Sequence, residues 1–139
     1  MTPYVVAWGV DETSDTGQHT IEVSTPEELD ATLDRAVSES EHPVLVDIYP
    51  ADWTGLVPPG LQLGLGHPER AILVYADAEG SAYAMDPALP DWPESIAFEY
   101  GGQPSDVDPH RLRMTPKAAR AGAREYVETG ERPGGVAWA

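Results

Sequence analysis

TPEELDATLDRAVSESEHPVLVDIY, residues 25–49, holds the two elements whose combination decides the fold. Thr25 offers a side-chain oxygen as N-cap, Pro26 stands at the first helical position, and Glu28 stands at the capping-box position, so a helix starts here. Leu29, Leu33, Ala36 and Val37 follow at helical spacing and form one apolar stripe. His42-Pro43 ends the helix, because the residue before a proline is pushed out of the helical region. Pro43 to Tyr49 then reads as a strand whose upper portion is apolar on both faces, as in a central strand covered by a helix.

The rest of the chain supplies the sheet. Tyr4 to Trp8 and Thr20 to Val23 read as strands joined by the polar loop Asp11 to Gly17. Leu61 to Leu65 alternates and reads as a half-exposed strand. Ala71 to Tyr75 and Ser81 to Met85 flank the turn Asp77-Ala78-Glu79-Gly80, and Ser95 to Tyr100 is a further strand closed by Gly101-Gly102. A second helix runs from Thr115-Pro116 to Gly130, with Ala119, Ala123, Tyr126 and Val127 inward and Lys117, Arg120 and Arg124 on another face. Val136 to Trp138 makes a short last strand. No internal repeat or low-complexity run interrupts this series. The expected architecture is α+β: a mainly antiparallel sheet with two helices packed on it, in one domain over residues 1–139.

A chain of 139 residues buries roughly two-thirds of its unfolded surface. Its 41% hydrophobic and 23% charged residues match globular proteins, not disordered or membrane ones. No stretch approaches the ~20 apolar residues of a spanning helix, and Met1 to Val10 lacks the layout of a signal peptide. The expected location is the cytoplasm. There is no cysteine, which removes disulfides, thiolate nucleophiles, sulfur-ligated zinc and the cysteine-ligated nucleobase deaminases.

Charge is the strongest compositional signal, with 24 acidic against 8 basic side chains and a formal net charge of −16. Residues 1–70 carry 13 acidic and 2 basic groups, residues 71–110 carry 8 and 0, and residues 111–139 carry 3 and 6. Such a surface repels nucleic acid and anionic membranes and attracts basic partners. Solubility alone is the competing account of the acidity.

The motifs of common catalysis are missing. Gly64-Leu65-Gly66-His67-Pro68-Glu69 begins like a dinucleotide fingerprint but has Glu69 where the third glycine belongs. Ser105, between Pro104 and Asp106, is no nucleophile elbow. His19, His42, His67 and His110 stand far apart. Asp106-Val107-Asp108-Pro109-His110 resembles a set of metal ligands, yet it reads more readily as a solvated acidic loop leading into a strand. No catalytic residue, metal or cofactor is expected.

Four tryptophans accompany one phenylalanine. Trp8 and Trp138 lie in apolar strand contexts and are expected in the core. Trp53 and Trp92 sit in proline-bounded loops beside carboxylates, where a rigid ring either anchors a partner or folds back over the core.

Phe98-Glu99-Tyr100-Gly101-Gly102-Gln103-Pro104-Ser105-Asp106 resembles the Imm1 family of bacterial immunity proteins, in which a strand ending in aromatic-Gly-Gly precedes a short segment with Ser and an acidic residue. The likeness extends through Thr115-Pro116, Ala119, Ala123, Tyr126, Thr129-Gly130, Arg132-Pro133 and Val136-Ala137-Trp138. Upstream it includes Val23 to Asp30 and the Leu-x-Leu-Gly segment within Leu61 to Gly66. Pro104 departs from the family, which has Trp after Gly-Gly-Gln.

The resemblance implies a protein that binds and blocks a toxin encoded beside it, often a nucleic-acid deaminase. Residues Trp53, Asp91, Trp92, Glu94, Tyr100, Ser105, Asp106 and Asp108 are the expected contacts with this toxin domain, itself expected to be basic. Gly101-Gly102 stays open between contact and a purely structural bend. Two other readings compete: an acidic mimic of nucleic acid that regulates a basic protein, and a small hydrolase or metal-dependent enzyme built on Asp106, Asp108 and His110.

Overall fold

The computed structural model describes residues 3–53 and 59–139, and within them helix α1 spans Pro26–Glu39. Its start follows the sequence: the Thr25 hydroxyl accepts from Glu28 N at 3.1 Å, and the Glu28 carboxylate accepts from Ser24 N at 3.0 Å. Helix α2 spans Pro116–Thr129, with Thr115 accepting from Ala118 N at 3.2 Å and Gly130 closing the helix in the left-handed region at φ 74°.

Nine strands accompany the helices: β1 (Tyr4–Trp8), β2 (His19–Val23), β3 (Val44–Pro50), β4 (Gly60–Leu65), β5 (Ile72–Asp77), β6 (Gly80–Met85), β7 (Ile96–Tyr100), β8 (Gln103–Val107) and β9 (Ala137–Trp138). Seven of them follow one antiparallel path, β2-β1-β3-β4-β5-β6-β9. β7 joins β3 in parallel where Val44 faces Glu99, and β8 pairs with β7. The fold is α+β, as expected.

Alternation along β3 divides the interior in two. Val44, Val46 and Ile48 point to one face, where they meet Leu29, Leu33 and Ala36 of α1 and Ala119, Ala123 and Tyr126 of α2 in the larger apolar cluster. Leu45 points to the other face and joins Ile72, Val74, Ile96, Phe98, Val107 and Leu112 in a smaller one. The two helices lie antiparallel on the first face, with Arg120 bonded to Asp34 at 2.8 Å and Arg124 to Asp30 at 3.1 Å. These pairs are open to solvent and contribute about 0–1 kcal/mol each, so the apolar stripes dominate the docking energy. Gly122 lets α2 approach the sheet, since a Cβ there would come within 2.6 Å of Leu73 Cδ2.

Three local expectations change. β4, read as half-exposed, is a central strand open only in part: Leu61, Leu63 and Leu65 are buried beneath the helices, while on its other face Gln62 is half-buried and Gly64 is buried under Phe98. The stretch read as an acidic loop leading into a strand contains β8 itself, after which Asp108 opens a 3-10 turn over Pro109–Arg111. Pro104 obscured that strand, yet an edge strand tolerates a residue without an N–H. Trp8 is buried as expected, whereas Trp138 is half-buried at the margin of the core and donates its indole N–H to Pro133 O at 2.9 Å.

Candidate partner-binding groove

Among the described residues, helices cover one face of the sheet, and the β7–β8 hairpin and the 3-10 turn cover only part of the other. What remains is a groove of ≈1030 Å³. Its floor includes Asp47 of β3, Gln62 of β4 and Val74 of β5, while Trp53, Tyr83 and Tyr100 stand around it. The register explains the floor. Asp47 faces Ala7 on one side and Gln62 on the other, so the smallest apolar neighbour leaves room beside the carboxylate and a side-chain amide reaches it.

Asp47 Oδ1 accepts from Gln62 Nε2 at 3.1 Å, and Oδ2 accepts from the Tyr100 hydroxyl at 3.0 Å. Burial raises the carboxyl above its ordinary value, and the two hydrogen bonds partly offset that rise. Tyr100 is pushed up to about 12, first by burial, then by the Asp47 charge and by the hydrogen bond to it. Tyr49, another residue of the groove, is raised by burial and by the same charge. On the wall, the Arg111 guanidinium lies 4.7 Å from the centre of the Tyr83 ring.

The residues singled out from the sequence separate into three places. Trp53 and Tyr100 are 44% and 42% exposed and both line the groove. Trp92 is half-buried against the smaller apolar cluster, edge-on to His67 at 5.3 Å and 5.0 Å from the Arg70 guanidinium. Its neighbour Asp91 accepts from Arg113 Nη1 at 3.0 Å, and Glu94 is exposed in the same loop. Ser105, half-buried, and Asp106, exposed, lie on β8, and Asp108 is exposed at the head of the 3-10 turn. Among the described residues no three His, Cys, Asp or Glu side chains converge as metal ligands.

Gly101 and Gly102 join β7 to β8 with φ of 59° and 84°. Two successive positive φ values define the hairpin turn that matches strand twist, which is why glycine stands at both. Asp47, Gln62 and Arg70 escaped the sequence reading. The available signal for Asp47 was a lone charge inside an apolar strand.

Fold and groove together define a class: a small acidic α+β protein with helices on one sheet face and an aromatic-rimmed groove with a carboxylate floor on the other. The model of one family, described as Immunity protein Imm1, matches residues 17–139, and the chain belongs to this family of immunity proteins. A comparison with curated proteins finds no match.

Proposed function

We propose that the chain acts as one unit over residues 1–139 in the cytoplasm, where it binds a cognate polymorphic toxin and neutralises it by occlusion, without catalysis. The toxin of this reading acts on nucleic acid, as a deaminase or nuclease, and presents a basic surface. The observation that carries the reading is the placement of Trp53 and Tyr100. Of the three large hydrophobic side chains exposed among the described residues, these two line one groove. Exposed aromatics at a concavity are the usual anchors of protein interfaces.

Size and charge agree with it. The accessible surface is 7452 Å², and a standard interface takes ~800 Å² from each partner, roughly a tenth. Guarding a cell against a lethal enzyme calls for a dissociation constant near ~1 nM, or about −12 kcal/mol. Exposed ion pairs at about 0–1 kcal/mol each do not reach that value, so the aromatic anchors hold the partner while the net charge of −16 speeds encounter. The proposed contact surface begins at Trp53 and Tyr100 and extends to Ser105, Asp106 and Asp108 and to Asp91, Trp92 and Glu94 in the adjoining loop.

The test is co-expression with the toxin domain encoded beside the gene, followed by co-purification and an assay of toxin activity. A stable, inactive 1:1 complex is expected. No complex with undiminished toxicity would overturn the reading in favour of an acidic regulator that occupies a basic nucleic-acid-binding protein.

A further inference from the structure

We propose that the floor of the groove receives an arginine side chain from a loop of the toxin, which enters between Trp53 and Tyr100 and pairs with Asp47. The inference rests on the immunity reading and names the contact at its centre.

Asp47 is a half-buried carboxylate at the floor of the groove that makes no ion pair among the described residues. The sequence places no Lys, Arg or His at positions 54–58 either. Among the described residues its two hydrogen bonds come from neutral donors, one to each oxygen. A carboxylate has about four acceptor sites, so a pair remains for a further donor. Two acceptor oxygens fit the two-pronged donor edge of a guanidinium better than the point charge of an ammonium.

The surroundings favour the same occupant. Trp53 and Tyr100 offer aromatic surface at the groove, and a guanidinium stacks on such rings. The chain's own Arg111 already lies over the Tyr83 ring on the wall and forms no ion pair among the described residues. A volume of ≈1030 Å³ accommodates a loop with its side chain. Tyr100 then has two tasks, as a ring at the groove and as the hydroxyl that orients Asp47.

The experiment measures the affinity of the neighbouring gene's toxin domain for the wild-type chain and for Asp47→Asn, Tyr100→Phe and Asp34→Asn. The last removes the same charge on the helix side of the sheet. Circular dichroism verifies each fold. The expected result is a loss of at least ~30-fold for Asp47→Asn, as when one member of a buried charge pair is removed. Tyr100→Phe, which keeps the ring and frees the carboxylate, loses less, and Asp34→Asn binds like wild type.

Tight wild-type binding with unchanged affinity in Asp47→Asn would overturn the inference and leave the immunity reading standing. Equal losses in Asp47→Asn and Asp34→Asn would overturn it as a general charge effect. Should Asp47→Asn fail to fold, unchanged affinity in Tyr100→Phe overturns it instead. Absence of wild-type binding overturns both readings together.

Discussion

The ring of Phe98 lies over the bare α-carbon of Gly64: a Cβ built there would come within 2.7 Å of Phe98 Cε1 and 2.8 Å of Ile72 Cγ1. This contact seats the β7–β8 hairpin on the sheet, and the hairpin carries Tyr100 to the groove. The Leu-x-Leu-Gly segment thereby acquires a physical meaning. Leu61 and Leu63 pack under the helices, Gln62 between them reaches Asp47, and Gly64 makes room for Phe98. Gly64→Ala is expected to cost ~1–3 kcal/mol through overpacking. Urea titration should show a lower midpoint at unchanged slope.

Arg70 is expected to be a stability residue and Trp92 its partner. Arg70 is 7% exposed, and its Nη1 donates to Pro90 O at 2.7 Å and Leu112 O at 2.9 Å, tying the loop of Trp92 to the segment after the 3-10 turn. Arg70→Ala leaves both carbonyls without their donor and removes the cation above the Trp92 ring, a loss of ~2–4 kcal/mol. Trp92→Ala should lower the same denaturation midpoint, because the ring packs on the smaller apolar cluster. Any fall in toxin affinity in Trp92→Ala is therefore to be read beside its stability.

The sheet and both helices were legible because local signals agreed with tertiary demand. Thr25-Pro26 and Thr115-Pro116 start helices in the structure as they do in sequence, and the strand expected over Pro43 to Tyr49 is the central strand β3, Val44–Pro50, that its two-faced apolarity implies. The groove was legible only at its rim. Trp53 and Tyr100 could be picked out by residue type, but the floor depends on the register that sets Asp47 beside Gln62, fifteen residues away. No local pattern encodes such a pairing. Arg70 was hidden for a related reason, since its acceptors, Pro90 and Leu112, lie 20 and 42 residues downstream.

Asp47 should make the free protein less stable at neutral pH than it would be with a neutral side chain. Its folded-state value is raised above the ordinary carboxylate value, chiefly by burial, so the folded chain holds this proton more tightly than the unfolded one. The associated stability is fully present below the unfolded value of about 3.9 and is lost as pH rises through the folded value. Asp47→Asn escapes that loss. Its melting temperature should match wild type in acid and exceed it at neutral pH, read by thermal scans across that window. A variant that is more stable yet binds toxin more weakly has the trade-off expected where a carboxylate is kept for a partner.

The glycine pair offers the last test, because its two members face different surroundings. At Gly101 a Cβ meets nothing within 4 Å among the described residues, and the φ of 59° is one that asparagine adopts readily, so Gly101→Asn should keep the turn and most of the stability. At Gly102 a Cβ would come within 2.9 Å of Val10 Cγ2 at a φ of 84°, so Gly102→Ala meets both strain and a clash. The expected cost is ~1–3 kcal/mol. Toxin affinity then separates the two roles open to the pair. If Gly101→Asn binds toxin as wild type does, the pair serves to turn the hairpin and present Tyr100. A loss of affinity in Gly101→Asn at unchanged melting temperature would mean that the turn itself touches the partner, since a new side chain in open space harms only what docks there.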